Sequence, residues 1–199
     1  MNIFTFRGTK YEYFNHWYNQ TAKNERAVEI PIILNYFNHA KSNNQLILEV
    51  GNVLSHYFAP THIIVDKGEF GQNVINEDII NFQSPQKFDL IISISTLEHI
   101  GFEDYEGEKN PEKVILAVKN IRSLLAKNGI FIFTVPKGYN IAFDETLSLN
   151  KLNIDHISCM KRISEDNQWK ECTYGEIVLA EYGNPFPFAN AILIGEINA

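Results

Sequence analysis

The run LILEVGN, Leu46 to Asn52, decides the fold. Leu46, Ile47, Leu48 and Val50 are apolar with no alternating polar position before Glu49, the pattern of a strand buried on both faces. Such strands belong to parallel sheets with helices on each side, and their last side chains meet ligands at the carboxyl edge. Glu49 lies at that edge, and Gly51 allows a sharp backbone turn there. Three similar runs follow. His62 to Val65 ends in Asp66, Phe88 to Ser95 leads into Thr96-Leu97-Glu98-His99, and Ile130 to Val135 ends at Pro136-Lys137-Gly138.

Helical spacing separates these runs. Ala27, Val28, Ile30, Ile33, Leu34 and Phe37 predict a helix from Glu25 to His39, kinked or broken by Pro31. Val114, Ile115, Val118, Ile121, Leu124 and Leu125 predict another from Pro111 to Ala126, with Asn110 as N-cap and Gly129 beyond its end. Lys113, Lys119, Arg122 and Lys127 form its solvated side. Strands alternating with helices specify a βαβ architecture and a mainly parallel sheet. In the tail, Ile154 to Met160 and Ala191 to Ile197 read as two more strands, forming a hairpin at a sheet edge.

Composition narrows the function. The 199 residues include 45% hydrophobic and 13% aromatic residues, enough for one core and too apolar for a disordered chain. Seventeen Lys and Arg stand against 24 Asp and Glu, a net charge of −7, without the basic cluster that grips nucleic acid phosphates. No apolar run reaches the ~20 residues of a membrane span, and the first residues lack the features of a signal or transit peptide. A cytoplasmic protein with no nucleic acid or membrane partner is expected. Cys159 and Cys172 have no zinc-finger or disulfide-framework spacing and read as reduced thiols, and Asp155, His156 and His16 lack ligand-spaced partners, so no metal is expected.

Asp66 ends its strand seventeen positions after Glu49, where a carboxylate can accept from the adjacent hydroxyls of a ribose. A dinucleotide site of the G-x-G-x-x-G kind needs glycines where Val53 and His56 stand. S-adenosylmethionine carries a ribose but no pyrophosphate, so that demand is relaxed.

The chain resembles the class I S-adenosylmethionine-dependent methyltransferases. LILEVGN is similar to their first glycine motif, IIVDK (Ile63 to Lys67) to the acidic second motif, and NEDI (Asn76 to Ile79) to the segment beside the adenine. FDLIISISTLEHIG (Phe88 to Gly101) is similar to the fourth motif, and LLAKNGIFIFTVP (Leu124 to Pro136) to the fifth strand with its preceding helix. The resemblance implies a three-layer Rossmann-like sandwich whose mainly parallel seven-stranded sheet has its last strand inserted antiparallel. It implies that Gly51 passes the methionine moiety with Glu49 and Asn52 nearby, and that Asp66 binds the ribose with Lys67 beside it. Asp78 would accept from the adenine amine while the Ile79 backbone meets the ring, and Ser93 and Ser95 would face the methionine part. Val53 and Ser55 depart from the family's later glycines.

One domain spans residues 1–199: an N-terminal helical cap (1–44), a cofactor-binding core (45–136), and a substrate-side insertion with C-terminal β-hairpin (137–199). The expected activity is methyl transfer from S-adenosylmethionine, yielding S-adenosylhomocysteine, to a small polar acceptor. Oxygen is preferred because SISTL replaces the Asn/Asp-Pro-Pro-aromatic tetrad of amino-group methylation of bases. His99 follows the fourth motif as either a base, since imidazole titrates near neutrality, or a residue that orients the loop. A non-catalytic subunit retaining the cofactor pocket is the alternative. A nicotinamide oxidoreductase is opposed by the missing glycines and the lack of a Tyr-x-x-x-Lys pair. Tyr11, Tyr13, Phe14, Trp17 and Tyr18 form either a substrate-side lid or a hydrophobic cover, and Asn184 to Asn190 either lines the acceptor pocket or connects rigidly to the last strand. Glu103, Asp104, Glu106 and Glu108 read as a solvated loop.

Overall fold

A computed structural model describes residues 3–102 and 110–199; the acidic loop of Glu103 to Glu108 lies outside the described residues. The strands are β1 (Ile3–Phe6), β2 (Thr9–Glu12), β3 (Ile47–Val50), β4 (Ile63–Asp66), β5 (Val74–Asn76) and β6 (Phe88–Ile94), followed by β7 (Leu125–Pro136), β8 (His156–Arg162), β9 (Trp169–Cys172) and β10 (Ala191–Asn198). The helices are α1 (Arg26–Ser42), α2 (Glu112–Leu124) and α3 (Ile141–Ser148). The main sheet has eight strands in the order β5-β4-β3-β6-β7-β10-β8-β9. Strands β3 to β7 pair in parallel, whereas β10 runs antiparallel to both β7 and β8.

Two expectations are corrected here. The sheet has an eighth strand, because Trp169–Cys172 pairs with β8 and takes the edge. The two tail strands do pair, with Ile192 opposite Met160, but β10 lies inside the sheet, where its buried run fits an interior position. Cys159 and Cys172 face one another across β8 and β9 as free thiols, and burial pushes their pKa values up to about 12 and about 11.

Parity along the strands builds the two faces. Leu48, Val50, Ile91, Phe131 and Phe133 pack with α2 and α3, while Ile47, Leu90, Ile92, Ile94 and Ile132 pack with α1 and the β1–β2 hairpin. The hairpin is an element that the helical reading of the first 44 residues does not contain. Helix α1 continues through Pro31, which cannot donate to the Ala27 carbonyl four residues back. Phe14 N–H takes that carbonyl at 2.9 Å, so the proline leaves no buried acceptor stranded. Helix α2 begins with the Asn110 side-chain oxygen accepting from Glu112 N–H at 3.1 Å. It stops at Leu124, two residues before its predicted end, because Leu125 is extended and pairs with Phe88.

Gly195 in β10 stands opposite Phe133, and a Cβ there would come within 2.3 Å of the Phe133 ring. Gly195→Ala is expected to lower the free energy of unfolding by about 1–3 kcal/mol through overpacking. Urea denaturation measures this, and an unchanged midpoint would show that the ring yields without cost.

Candidate functional site

A cleft of about 370 Å³ opens at the carboxyl ends of β3, β4 and β6. After β3 the chain turns at Gly51, whose φ is +87° and where a Cβ would lie 2.1 Å from Thr96 Oγ1. No other residue fits that turn without displacing the Thr96 side chain. Gly51 N–H donates to the Val65 carbonyl at 2.9 Å, which joins the turn to β4. Asn52 N–H then donates to Asp66 Oδ2 at 2.8 Å.

Asp66 closes the rim as well as facing the cleft. Its Oδ1 accepts from the N–H groups of Gly68 and Glu69, both at 2.8 Å. A carboxylate has about four acceptor positions, so these three bonds leave it limited capacity for a ligand hydroxyl. Glu69, which the motif reading overlooks, also lines the cleft; it accepts from Asn52 Nδ2 at 2.7 Å and lies 3.0 Å from His56 Nε2. The sequence signal for Glu69 is an acid three positions beyond the strand-ending acid.

The opposite wall carries Asp78 and Ile79. Asp78 Oδ2 lies 3.3 Å from Lys67 Nζ, and Oδ1 accepts from Ile80 N–H at 3.0 Å. Asn120 of α2 donates to the carbonyls of Ile79 and Phe82 at 2.6 and 2.9 Å, pinning this strip to the helix.

Two residues assigned to the cofactor are placed in the interior. The fully buried Glu49 does not line the cleft; its Oε1 accepts from Val53 and Leu54 N–H at 3.0 and 2.8 Å, and Oε2 meets His62 Nε2 at 2.6 Å. Ser93, also fully buried, donates to the Val50 carbonyl at 2.9 Å and locks β6 to β3. Gly51, Asn52, Asp66, Lys67, Asp78, Ile79, Ser95 and His99 do gather around the cleft, joined by Thr96. Ser95 has φ +38° and donates to Glu29 Oε1 at 2.7 Å, tying the cleft to α1.

His99 forms the far wall with its side chain half exposed, its Nε2 3.8 Å from Glu98 Oε1 and its ring edge-on to Tyr139. Glu98 itself is buried, and Oε2 has no hydrogen-bond partner. Burial pushes its carboxyl well above the usual carboxylate range; Glu29 and Glu25 add to the rise and Arg26 opposes it. Among the N-terminal aromatics, Tyr18 stacks on His56 with ring centroids 4.7 Å apart, which sets this segment beside the Glu69 rim. Trp17 is 84% exposed, so it is not core material.

The loop after β3 has no helix for a pyrophosphate to bind against. Leu54–His56 makes a single 3₁₀ turn, and the connections from β3 to β6 contain no α-helix. Helix N-termini supply the aligned N–H groups that favour phosphate. The arrangement suits a ligand read by carboxylates and backbone.

No family model and no curated protein matches the chain. Among solved structures, it is similar to the N-methyltransferase NodS from Bradyrhizobium japonicum WM9 in complex with S-adenosyl-L-homocysteine, at 13% identity and TM-score 0.49 over 77% of each chain. It is similar to a SAM-dependent methyltransferase from Archaeoglobus fulgidus at 14% identity and TM-score 0.48, over 84% of this chain and 92% of that one. The sugar N-methyltransferase KedS8 from Streptoalloteichus sp ATCC 53650 is 11% identical with TM-score 0.42, over 85% and 86%. By its own strand pairing, with β10 inserted antiparallel between β7 and β8, this chain has the Rossmann-like α/β fold of the class I methyltransferases.

Proposed function

We propose that the protein is an S-adenosylmethionine-dependent methyltransferase acting on a small polar acceptor. The observation that carries this reading is the cleft itself, where a glycine turn, Asp66 and Asp78 converge and no α-helix follows the glycine turn before β6. Asp66 and Glu69 offer acceptors on the ribose side, Asp78 and the Ile79 backbone on the adenine side, and Gly51 with Ser95 and Thr96 a floor for the amino-acid part. When bound, the cofactor supplies a methyl group on a sulfonium, so the chain has to position the acceptor, exclude water and manage a proton. His99 is the cleft residue suited to take that proton.

The sequence preference for oxygen rests on a missing tetrad that concerns the amino groups of nucleic acid bases. It leaves other nitrogen acceptors open. A scaffold that keeps the pocket without turnover is the rival, and it predicts cofactor binding with no labelled product from a metabolite extract.

Calorimetric titration with S-adenosylhomocysteine is expected to give saturable heat. Asp78→Ala should weaken binding at least about tenfold with little change in melting temperature, since it loses one ion pair and one local backbone bond. Asp66→Ala should weaken binding and also lower stability, because three backbone donors lose their acceptor. No heat with the wild type, or unchanged affinity in both variants, would reject the proposal.

If His99 is the base, His99→Ala should lower the methyl-transfer rate most at high pH, where a neutral imidazole does the work. A profile unchanged from about pH 6 to about pH 9 assigns His99 to positioning the loop.

A further inference from the structure

Behind the His99 wall lies a group of charges that does not line the cleft. Glu25, Arg26 and Glu29 come from the start of α1, and Glu98 from the turn after β6. Glu25 is 8% exposed, Glu29 0% and Glu98 1%. Arg26 forms an ion pair with Glu29, which also accepts from Ser95, and Glu25 accepts from Ala189 N–H at 3.1 Å. Three carboxylates therefore share Arg26, and Arg162 also acts electrostatically on Glu25, so carboxylates outnumber guanidinium groups by one. Glu98 is the member with an unpartnered oxygen.

Buried charge of one sign is costly, and an unsatisfied buried carboxylate oxygen more so. The cost falls if a cation arrives. Of the cations near the site, Arg26 is paired with Glu29, Lys67 with Asp78 at 3.3 Å and Lys137 with Asp144 at 2.9 Å, while Lys113 lines the cleft. Aromatic rings flank the group: Tyr139 is edge-on to His99 and to Tyr182, each at 5.0 Å between centroids. An apolar cavity of about 470 Å³ adjoins the cleft at Ile100 and is lined by Tyr139 and Phe143. Asn140, on the same wall, donates to the Glu98 carbonyl at 2.7 Å.

We infer that the methyl acceptor is an amine with an apolar body, docking as its ammonium at His99 with buried Glu98 as the counter-charge. This rests on the methyltransferase reading given above. The body occupies the apolar cavity, and the nitrogen sits at the junction with the cleft. Burial, with Glu29 and Glu25, raises the Glu98 carboxyl pKa against the pull of Arg26, and a docked cation favours the ionised form, so a proton held there leaves to solvent as the cation docks. One N–H proton of the ammonium then passes to the imidazole of His99. The electron pair of that N–H bond stays on nitrogen as the lone pair that methyl transfer requires, and the imidazolium is faced by the Glu98 carboxylate. Glu98 acts through His99 and is a positioning residue.

The test is calorimetric titration of the full chain, with and without S-adenosylhomocysteine, using phenethylamine and the matched alcohol 2-phenylethanol in two buffers of unlike ionisation enthalpy. Phenethylamine is expected to bind at least about tenfold more tightly than the alcohol, with a proton released on binding. Glu98→Gln, which keeps the shape of the side chain, should lose that preference and the proton release while retaining wild-type affinity for S-adenosylhomocysteine. Equal affinity for amine and alcohol, absence of amine binding, or an unchanged preference and proton count in Glu98→Gln would overturn the inference. Failure of S-adenosylhomocysteine to bind the wild type would overturn the cofactor reading alone, because the amine titration without it still reports on Glu98.

Discussion

The buried carboxylate of Glu49 is the constraint on which the cleft depends. It sits in an apolar layer with no exposure, where an ionised group without partners costs several kcal/mol. Its oxygens can be satisfied only if the chain after β3 folds back to present Val53 and Leu54 N–H, and if His62 enters β4 with its ring inward. Hydrogen bonds to a charged group contribute about 1.5–3 kcal/mol each, so the return path of the loop is strongly specified. Once that path is fixed, Gly51 is forced against Thr96 and Asn52 N–H is delivered to Asp66. The rim is a consequence of an interaction on the far side of the strand.

Helix α1 links this frame to the charged group behind His99. Its first turn supplies Glu25, Arg26 and Glu29, and its middle packs Ile30, Ile32 and Ile33 against the sheet. Pro31 falls where those two duties meet. Because the Ala27 carbonyl is taken by Phe14, the same position fastens the N-terminal segment to the helix, and Tyr18 follows four residues later to stack on His56 beside the cleft. The Ser95–Glu29 bond closes the circuit from α1 back to the end of β6.

What was legible in the sequence follows from period and chain order. Continuous apolar runs mark β3, β4, β6 and β7, and residues at their ends, such as Asp66 and Ser95, reach the cleft because strand ends do so whatever the register. Glu49 was not legible as an anchor. It precedes the last residue of β3, so pleat parity sends it to the α1 face with Ile47, and which face lies over the cleft is set by pairing that one strand cannot reveal. His62, its partner, comes from thirteen positions away. Strand β9 was illegible for a related reason: WKEC has no apolar run because an edge strand needs only one buried side, here through Trp169.

The departure from the glycine pattern is best understood through Glu49 as well. Glycines in a phosphate-binding loop let the backbone approach an anion and open a helix toward it. Here the N–H groups of Val53 and Leu54 are already committed to a carboxylate of the protein, and the helix is reduced to one 3₁₀ turn. A loop whose donors are spent internally gains nothing from further glycines, so Val53 and Ser55 cost the fold nothing there. The Val53 and Leu54 donors are therefore withheld from a phosphate, and the side chains that face the cleft around the rim are the acids Asp66, Glu69 and Asp78. Acids at the rim accept from hydroxyls and amines and repel phosphates, the chemistry that the proposed cofactor requires, and the buried acids behind His99 share that character.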